Sequence, residues 1–195
     1  MEIITAVASY ADAVAELHTA SWRTAYAHLF PAPYLNGPLP AEHRQLWRAR
    51  LDQPAPDAAL FLAVETGVLR GFAYMEPQPD GRVLLDNLHA RPGHTGRGLG
   101  SRLLQHALTW SSTAHPGRDV YVEVLRGNNR AIAFYQRHQA RHTASRTCRS
   151  AGGRGAAGAV AGQVYSSSGS SIPCWNVALA MPTGRLPAHR RTEAR

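Results

Sequence analysis

Three glycines alternate with larger residues in the segment Thr95–Gly100, which reads Thr-Gly-Arg-Gly-Leu-Gly. Glycine allows tight turns, and because it has no Cβ, an anion can reach the backbone N–H groups directly. The segment lies between a predicted strand and a predicted helix, whose amino end attracts anions through its dipole and its free N–H groups. Arg97 adds a fixed positive charge. The pattern predicts a phosphate or pyrophosphate site, with a flexible surface turn as the alternative.

Two other kinds of phosphate site fit the sequence poorly. All 21 basic residues are arginine, so the chain lacks the lysine that binds the phosphates in a Walker P-loop. The absence of lysine also excludes a Schiff base on this chain. A Rossmann dinucleotide loop has its third glycine at the position that Ser101 occupies here. A Rossmann loop also opens a βαβ unit, whereas the loop of this chain follows predicted antiparallel strands. The sequence therefore favours a glycine loop of another fold.

The elements that hold this loop follow from the spacing of apolar residues. Three short runs rich in Val, Leu and Phe are joined by turn sequences, which predicts a three-stranded antiparallel meander before the loop. A helix with a leucine-rich face follows the loop. The order of strands and helices is typical of one mixed α/β (α+β) domain. In chain order, the predicted elements are a strand at Glu2–Val7, a helix capped by Ser9, a helix from Pro40 to Leu51, strands at Ala58–Glu65, Val68–Glu76 and Arg82–Ala90, a helix from Leu99, a strand at Asp119–Leu125, a helix at Asn128–His138, and strands at Arg141–Arg149 and Ile172–Met181.

The predicted domain spans residues 1–181, and a basic tail follows at 182–195. Residues 150–171 are almost all Gly, Ala and Ser, which is typical of a low-complexity loop. The last strand is expected to return and pair with the strand that starts at Arg141. The tail carries +3 of the net charge of +8, and such a charge run is usually solvated, so nucleic acid is the less favoured partner.

Cysteine usage and the amino-terminal sequence bear on metal sites and location. Cys148 and Cys174 form no CxxC pattern, so neither a structural zinc site nor a disulfide framework is expected, and no metal is predicted. The first residues lack the pattern of a signal peptide, and no apolar run reaches the ~18 residues of a membrane span. These features predict a cytoplasmic protein without a membrane partner. The sequence leaves open whether two copies form a homodimer.

Two motifs resemble signatures of the GCN5-related N-acetyltransferase (GNAT) family. Thr95–Gly100 resembles the acetyl-CoA motif Gln/Arg-x-x-Gly-x-Gly/Ala, with threonine in the Gln/Arg position. Residues 128–135 resemble the second signature, Asn-x-x-Ala-x-x-Phe/Leu-Tyr, although His-Gln-Ala at 138–140 stands where the family has Gly-Phe. Leu85–Pro92 is similar to the central strand of the family and its proline exit, and residues 21–26 resemble a helix on the acceptor side.

The resemblance implies a GNAT-like fold, which is a central mixed, mostly antiparallel sheet flanked by helices. Two neighbouring parallel strands, Arg82–Ala90 and Asp119–Leu125, would splay apart, and acetyl-CoA would lie between them as co-substrate. Its acetyl group would pass directly to a primary amine of a small molecule or of a peptide or protein. No acyl-enzyme forms in such a transfer, so neither cysteine is a candidate nucleophile. The residues implied in cofactor binding are Leu88, Ala90, Thr95, Gly96, Arg97, Gly98, Leu99, Gly100, Ser101, Asn128, Ala131 and Tyr135.

Tyr135 matches the family tyrosine that lies near the sulfur atom of the cofactor. The resemblance implies that it acts as a general acid and protonates the leaving thiolate. A core aromatic residue on a helix face is the alternative. Asn128 would hydrogen-bond the pantetheine arm or help to position the tyrosine.

An amine attacks only when it is neutral, and a lysine-like ammonium has a pKa of about 10.4, so a base or a water chain must take a proton. Three residues on the two splayed strands are candidates for this base: Asp86, His89 and Glu123. Strict alternation places Asp86 on the same face as Leu88 and Ala90, and His89 on the other face. Some family members use only ordered water, so a side-chain base is not required.

A non-catalytic acyl-CoA-binding regulatory domain is the main alternative function. Such a domain would keep the glycine loop but could lack a working acid and base, and Thr95 and the missing Gly-Phe favour it. A nucleic-acid-binding module that uses the arginine tail is a third interpretation. It predicts binding that weakens steeply with salt.

Overall fold

The computed structural model describes residues 1–147 and 175–181. A single 3-10 turn, Ala8–Tyr10, precedes the first α-helix. The predicted loop at 150–171, the tail at 182–195 and both cysteines lie outside the described residues. In chain order, the elements are β1 (Glu2–Thr5), α1 (Ala11–Ala25), α2 (Ala32–Asn36), α3 (Leu39–Asp52), β2 (Ala59–Glu65), β3 (Val68–Pro77), β4 (Val83–Ala90), α4 (Leu99–Ala114), β5 (Val120–Leu125), α5 (Asn129–Arg137), β6 (Arg141–Thr147) and β7 (Trp175–Ala180).

Seven strands form one sheet in the order β1-β2-β3-β4-β5-β7-β6. All neighbouring pairs are antiparallel except β4 and β5, which run parallel. Among the described residues, β4 and β5 pair only at Val83 with Val120 and at Leu84 with Tyr121, so the two strands separate beyond those positions. The predicted fold class is thereby confirmed, including the meander of β2, β3 and β4 and the pair of splayed parallel strands.

Helices cover both faces of the sheet and divide the core in two. On one face, the leucines of α4 pack with β2–β5 and with Tyr135 of α5. On the other face, α1 and α3 pack against β2 and β3, with Trp47 and Phe72 fully buried at the centre. The apolar spacing that predicted α4 is therefore the spacing of its buried face.

The structure differs from the sequence predictions at two places in the first helices. Ser9 does not cap α1, because it lies inside the 3-10 turn and Tyr10 occupies the N-cap without a side-chain bond among the described residues. Helix α2 is not among the predicted elements, because prolines such as those after Phe30 are typical of a break in helical structure. Pro33 instead occupies the first turn of α2, where a missing N–H group and a fixed φ suit a helix.

The final strand pairs with β6 as predicted, but it also pairs with β5. It therefore lies between two strands that precede it in the sequence.

Within the described part of the chain, no helix has the length and apolar character needed to cross a membrane.

Candidate active site

A cavity of about 1400 Å³ opens where β4 and β5 separate. Its walls come from the end of α1, the second half of β4, the loop before α4, the first turn of α4, and the segment from β5 into α5. The three candidate bases and the predicted cofactor residues line it, with one exception. The exception is Leu99, whose side chain is 5% exposed and packs in the core beneath α4.

The loop before α4 requires glycine because of its backbone conformation. Gly93, Gly96 and Gly98 have φ values of +82°, +82° and +79°, in the left-handed region that other residues adopt only at a cost. Gly98 is also the N-cap of α4. The loop therefore turns twice before the helix begins and brings the start of the helix to the edge of the cavity.

Gly100 serves a different purpose from the other two glycines of the motif. It lies inside α4, and a Cβ at this position would stand 3.3 Å from the Phe134 ring of α5. The glycine therefore allows α4 and α5 to pack closely. Hence the third glycine of the motif sets the distance between two helices that both line the cavity.

The first turn of α4 presents backbone donors to the cavity. The first N–H groups of a helix have no carbonyl partner within it, and Gly98 has no side chain that could cap them. Ser101 in this turn hydrogen-bonds His138 at 2.9 Å. Four arginines of α4, α5 and the loop also line the cavity, so its electrostatic potential favours an anion there. They are Arg97, Arg102, Arg130 and Arg137.

Tyr135 is buried in α5 and lines the cavity. Burial raises the pKa of its hydroxyl, and the nearby Tyr26 raises it further. The hydroxyl therefore remains protonated at neutral pH. Asn128 caps α5, the helix that carries Tyr135, because its Oδ1 atom accepts a hydrogen bond from the Ala131 N–H at 3.1 Å. This bond explains the Asn-x-x-Ala part of the motif.

His89 packs in a cluster of histidines between β4 and the helices α1 and α3. Its ring lies 4.6 Å from that of His18, which stacks on His43 at 3.8 Å. Its Nδ1 atom hydrogen-bonds Ser21 at 2.9 Å. Burial lowers the pKa of His89 to about 3, so the imidazole is neutral at neutral pH and holds an extracted proton poorly.

Asp86 faces α3, and the prediction that it shares a face with Leu88 and Ala90 is wrong. Met75 pairs with Leu85 whereas Tyr74 pairs with Asn87, so Asp86 is the extra residue of a β-bulge. The bulge shifts the alternation by one residue, and Leu88 and Ala90 pack towards the α4 core instead. Asp86 Oδ2 accepts hydrogen bonds from Arg50 Nη2 at 2.8 Å and from Asn87.

Two groups of residues that shape the site were not predicted from the sequence. Tyr26 and Ser21 of the α1 segment line the cavity, although the sequence indicated only a helix on the acceptor side. Arg50 was not singled out, since nothing in the sequence distinguishes it from twenty other arginines. The aromatic spacing at 22 and 26 is the signal that could have identified the first group, because it places two rings on one helix face.

Comparison with known proteins identifies the family. The family model described as the acetyltransferase (GNAT) family matches residues 13–140, which include the glycine loop, both splayed strands and α5. The chain belongs to this family. The resemblance inferred from the two motifs is therefore confirmed. No curated protein matches the chain.

Solved structures of GNAT proteins share the fold of this chain. The PaiA N-acetyltransferase of Thermoplasma acidophilum in complex with coenzyme A has a TM-score of 0.66 at 15% identity, covering 91% of this chain and 96% of its own. A GCN5-related N-acetyltransferase of Rhodopseudomonas palustris has a TM-score of 0.64 at 18% identity, covering 92% and 94%. The ribosomal-protein-S18-alanine N-acetyltransferase of Escherichia coli has a TM-score of 0.61 at 14% identity, covering 100% and 99%. At these identities the likeness to the GNAT structures concerns the fold alone.

Proposed function

We propose that the protein transfers the acetyl group of acetyl-CoA directly to a primary amine of a small molecule or of a peptide or protein. Membership of the acetyltransferase (GNAT) family supports acetyl transfer, and the PaiA relative with the same fold was crystallised with coenzyme A. One observation carries the proposal. The parallel strands separate beside a glycine loop and the uncapped start of a helix, which provides a slot and an anion site in one cavity.

Acetyl-CoA fits the donors that line this cavity. The edge of β4 that faces β5 is unpaired beyond Leu84 in the described chain, so the backbone of residues 88–90 can pair with the amides of the pantetheine arm. The N–H groups of residues 97–101 would receive the pyrophosphate, which the helix dipole and the arginines also attract. Asn128 and Ala131 would border the pantetheine arm, near Tyr135.

The chemistry requires two proton transfers. The neutral amine attacks the thioester carbonyl, the new C–N bond forms, and the C–S bond breaks to release a thiolate. Tyr135 would donate its proton to that thiolate, because its hydroxyl is protonated at neutral pH and the residue lines the cavity. The proton of the acceptor would leave through a base or through water.

Glu123 is the base that we favour among the three candidates. Asp86 is bound to Arg50 and Asn87, and His89 has a pKa of about 3, so neither is suited to take a proton from an amine. Glu123 is on β5 and lines the cavity. A carboxylate there could accept the proton directly or through ordered water.

Tyr135→Phe tests the proposal, with Tyr74→Phe as the matched control. Tyr74 is also a buried tyrosine with a raised pKa of about 12, but it packs against Arg50 on the other face of the sheet. We expect Tyr135→Phe to lower kcat by about 100-fold or more while the acetyl-CoA affinity measured by calorimetry stays the same. If Tyr135→Phe acetylates a panel of primary amines at the same rate as the wild type, Tyr135 has no role in the mechanism.

Non-catalytic acyl-CoA binding is the alternative, supported by Thr95 and by His-Gln-Ala at 138–140 in place of Gly-Phe. It predicts binding of acetyl-CoA without acetylation of any amine in a broad panel. Acetylated product detected by mass spectrometry would exclude it.

A further inference from the structure

The charged residues that line the cavity differ in sign between its walls. In the described part of the chain, those of the glycine loop, α4 and α5 are all arginines, whereas those of β4 and β5 are the carboxylates Asp86 and Glu123. His89 of β4 is neutral, because burial lowers its pKa to about 3. The wall formed by the two separated strands therefore attracts cations.

The Asp86 carboxylate is held through only one of its two oxygen atoms. Oδ2 accepts hydrogen bonds from Arg50 Nη2 at 2.8 Å and from Asn87 Nδ2, whereas Oδ1 accepts none from the residues that the structure describes. Oδ1 is also not one of the described polar atoms that are buried without a partner, as Arg50 Nη1 and Asn87 Oδ1 are, so it remains accessible. Because Asp86 lines the cavity, a molecule in the cavity can reach this oxygen.

The surrounding fold fixes the orientation of this carboxylate. The Asp86 side chain is 7% exposed, and the guanidinium of Arg50 that holds it packs on the rings of Trp47 and Tyr74. A side chain that is already held in place loses little conformational entropy when it binds a ligand. Asp86 Oδ1 is therefore a preorganised hydrogen-bond acceptor at the cavity wall.

The charges around Asp86 also favour a cation. Arg50 is shared between two carboxylates, because its Nη2 atom lies 2.8 Å from Asp86 Oδ2 and 3.8 Å from Glu76 Oε2. Burial raises the pKa of Glu76, and the negative charge of Asp86 raises it further. One guanidinium thus faces two acids, and a cation at Asp86 Oδ1 would balance the excess negative charge.

We propose that the acceptor is a diamine or polyamine, and that Asp86 Oδ1 binds an ammonium group of the acceptor other than the amine that reacts. This inference rests on the proposed function and names its class of acceptor. The bound ammonium forms no covalent bond and keeps its proton, because the pKa of an alkylammonium group is about 10.4.

The position of Asp86 on β4 suits this role. The reacting nitrogen would approach the thioester near residue 88, where the pantetheine arm would pair with the strand. Asp86 lies two residues earlier on β4, which is roughly 7 Å along a strand. An alkyl spacer of about four or five methylene groups covers this distance at bond lengths of about 1.5 Å.

Three acceptors of equal chain length test which group Asp86 binds. Cadaverine ends in a second ammonium group, aminopentanol in a hydroxyl group and pentylamine in a methyl group. We expect the wild type to acetylate cadaverine with a kcat/KM about tenfold or more above that of the other two, because a charge-assisted hydrogen bond forms. Equal values for cadaverine and pentylamine, or a preference for aminopentanol, would overturn the inference while leaving acetyl transfer intact.

Asp86→Asn removes the charge, and Glu76→Gln is the matched control. Both carboxylates contact Arg50, but of the two only Asp86 lines the cavity. We expect Asp86→Asn to raise the KM for cadaverine about tenfold and to abolish the preference for cadaverine over pentylamine. Glu76→Gln should keep that preference. An undiminished preference in a folded Asp86→Asn variant would contradict the assignment of the ammonium site.

A binding measurement separates failure of this inference from failure of the proposed function. In the presence of coenzyme A, which carries no acetyl group, cadaverine should stabilise the wild type against denaturant more than pentylamine does. This comparison needs no variant and no turnover. The expected difference in a protein that acetylates no amine would refute only the proposed reaction, and equal stabilisation by both amines would contradict the ammonium site even in an active enzyme.

Discussion

Arg50 Nη2 lies 2.8 Å from Asp86 Oδ2, and both side chains are almost completely buried, with exposed fractions of 11% and 7%. The guanidinium also lies over the Tyr74 ring, 4.2 Å from its centre. The ion pair forms because the bulge in β4 turns Asp86 towards α3. Although Asp86 lines the cavity, its carboxylate therefore binds Arg50 and stabilises the packing of α3 on the sheet.

Removing either member of this ion pair should affect stability more than catalysis. Arg50→Met leaves the Asp86 charge buried without its partner, and we expect it to lower the free energy of unfolding by about 3–5 kcal/mol. Asp86→Asn should cost less, because Arg50 keeps Glu76 as a second partner, with Nη2 and Oε2 3.8 Å apart, and it should retain kcat. Denaturant unfolding and initial rates measure both effects. A folded Asp86→Asn variant with a collapsed kcat would show that Asp86 is the base.

Glu123→Gln is the complementary test of the base. It removes the carboxylate from β5 with little change in volume, so we expect a loss of kcat of about 100-fold at neutral pH. The loss should shrink as the pH rises and more of the acceptor amine becomes neutral in solution. A pH profile of kcat/KM identical to that of the wild type would instead favour ordered water as the proton acceptor.

Gly98→Val should weaken acetyl-CoA binding, and Gly81→Val is its control. Both glycines have left-handed backbone, with φ of +79° and +85°, and open space around the Cβ position. Both variants should therefore lose about 1–2 kcal/mol of stability. Only Gly98 faces the cavity, so only its variant should lose about tenfold or more in affinity by calorimetry. Wild-type affinity in Gly98→Val would contradict the assignment of the loop.

The buried histidines make stability depend on pH. Burial lowers the pKa of His43 to about 4 and that of His89 to about 3, and it lowers the pKa of His18 well below its usual value. The unfolded chain thus binds more protons than the folded one, so stability is complete above about pH 6.5 and falls as the pH drops towards 4. Each histidine contributes up to about 1.4 kcal/mol per pH unit in that window. Unfolding at neutral and at mildly acidic pH measures this loss.

His43→Phe keeps a flat ring against His18 but removes one titrating group. The acid-induced loss of stability should therefore be smaller in this variant than in the wild type. An unchanged dependence on pH would show that His43 does not titrate in this window.

Gln139→Gly should stabilise the protein, because Gln139 follows the end of α5 with a φ of +64°. Glycine adopts this conformation without strain and is the residue most often found just after a helix, so we expect a gain of about 1 kcal/mol. Gln136→Gly, at an exposed position inside α5, should lose about as much. Equal effects of the two substitutions on thermal unfolding would contradict this explanation.

The sequence predicted those elements that depend on local spacing. The strands of the meander, the leucine face of α4 and the glycine turn all follow from neighbours along the chain. The face of Asp86 could not be predicted, because a bulge depends on the pairing partner in β3 and not on β4 alone. For the same reason, the sequence does not predict the positions of Arg50 and Tyr26. Their contacts join segments that are far apart along the chain, and a local pattern contains no information on such contacts.

The strand order has a consequence for biosynthesis. Among the described strands, β6 pairs only with β7, and β7 also supplies the outer partner of β5. A nascent chain that has emerged as far as α5 therefore displays β5 as an open edge, and β6 cannot dock until residues 175–180 leave the ribosome. Completion of the sheet must consequently wait for residues 175–180, and until then the growing chain needs protection against association through that edge.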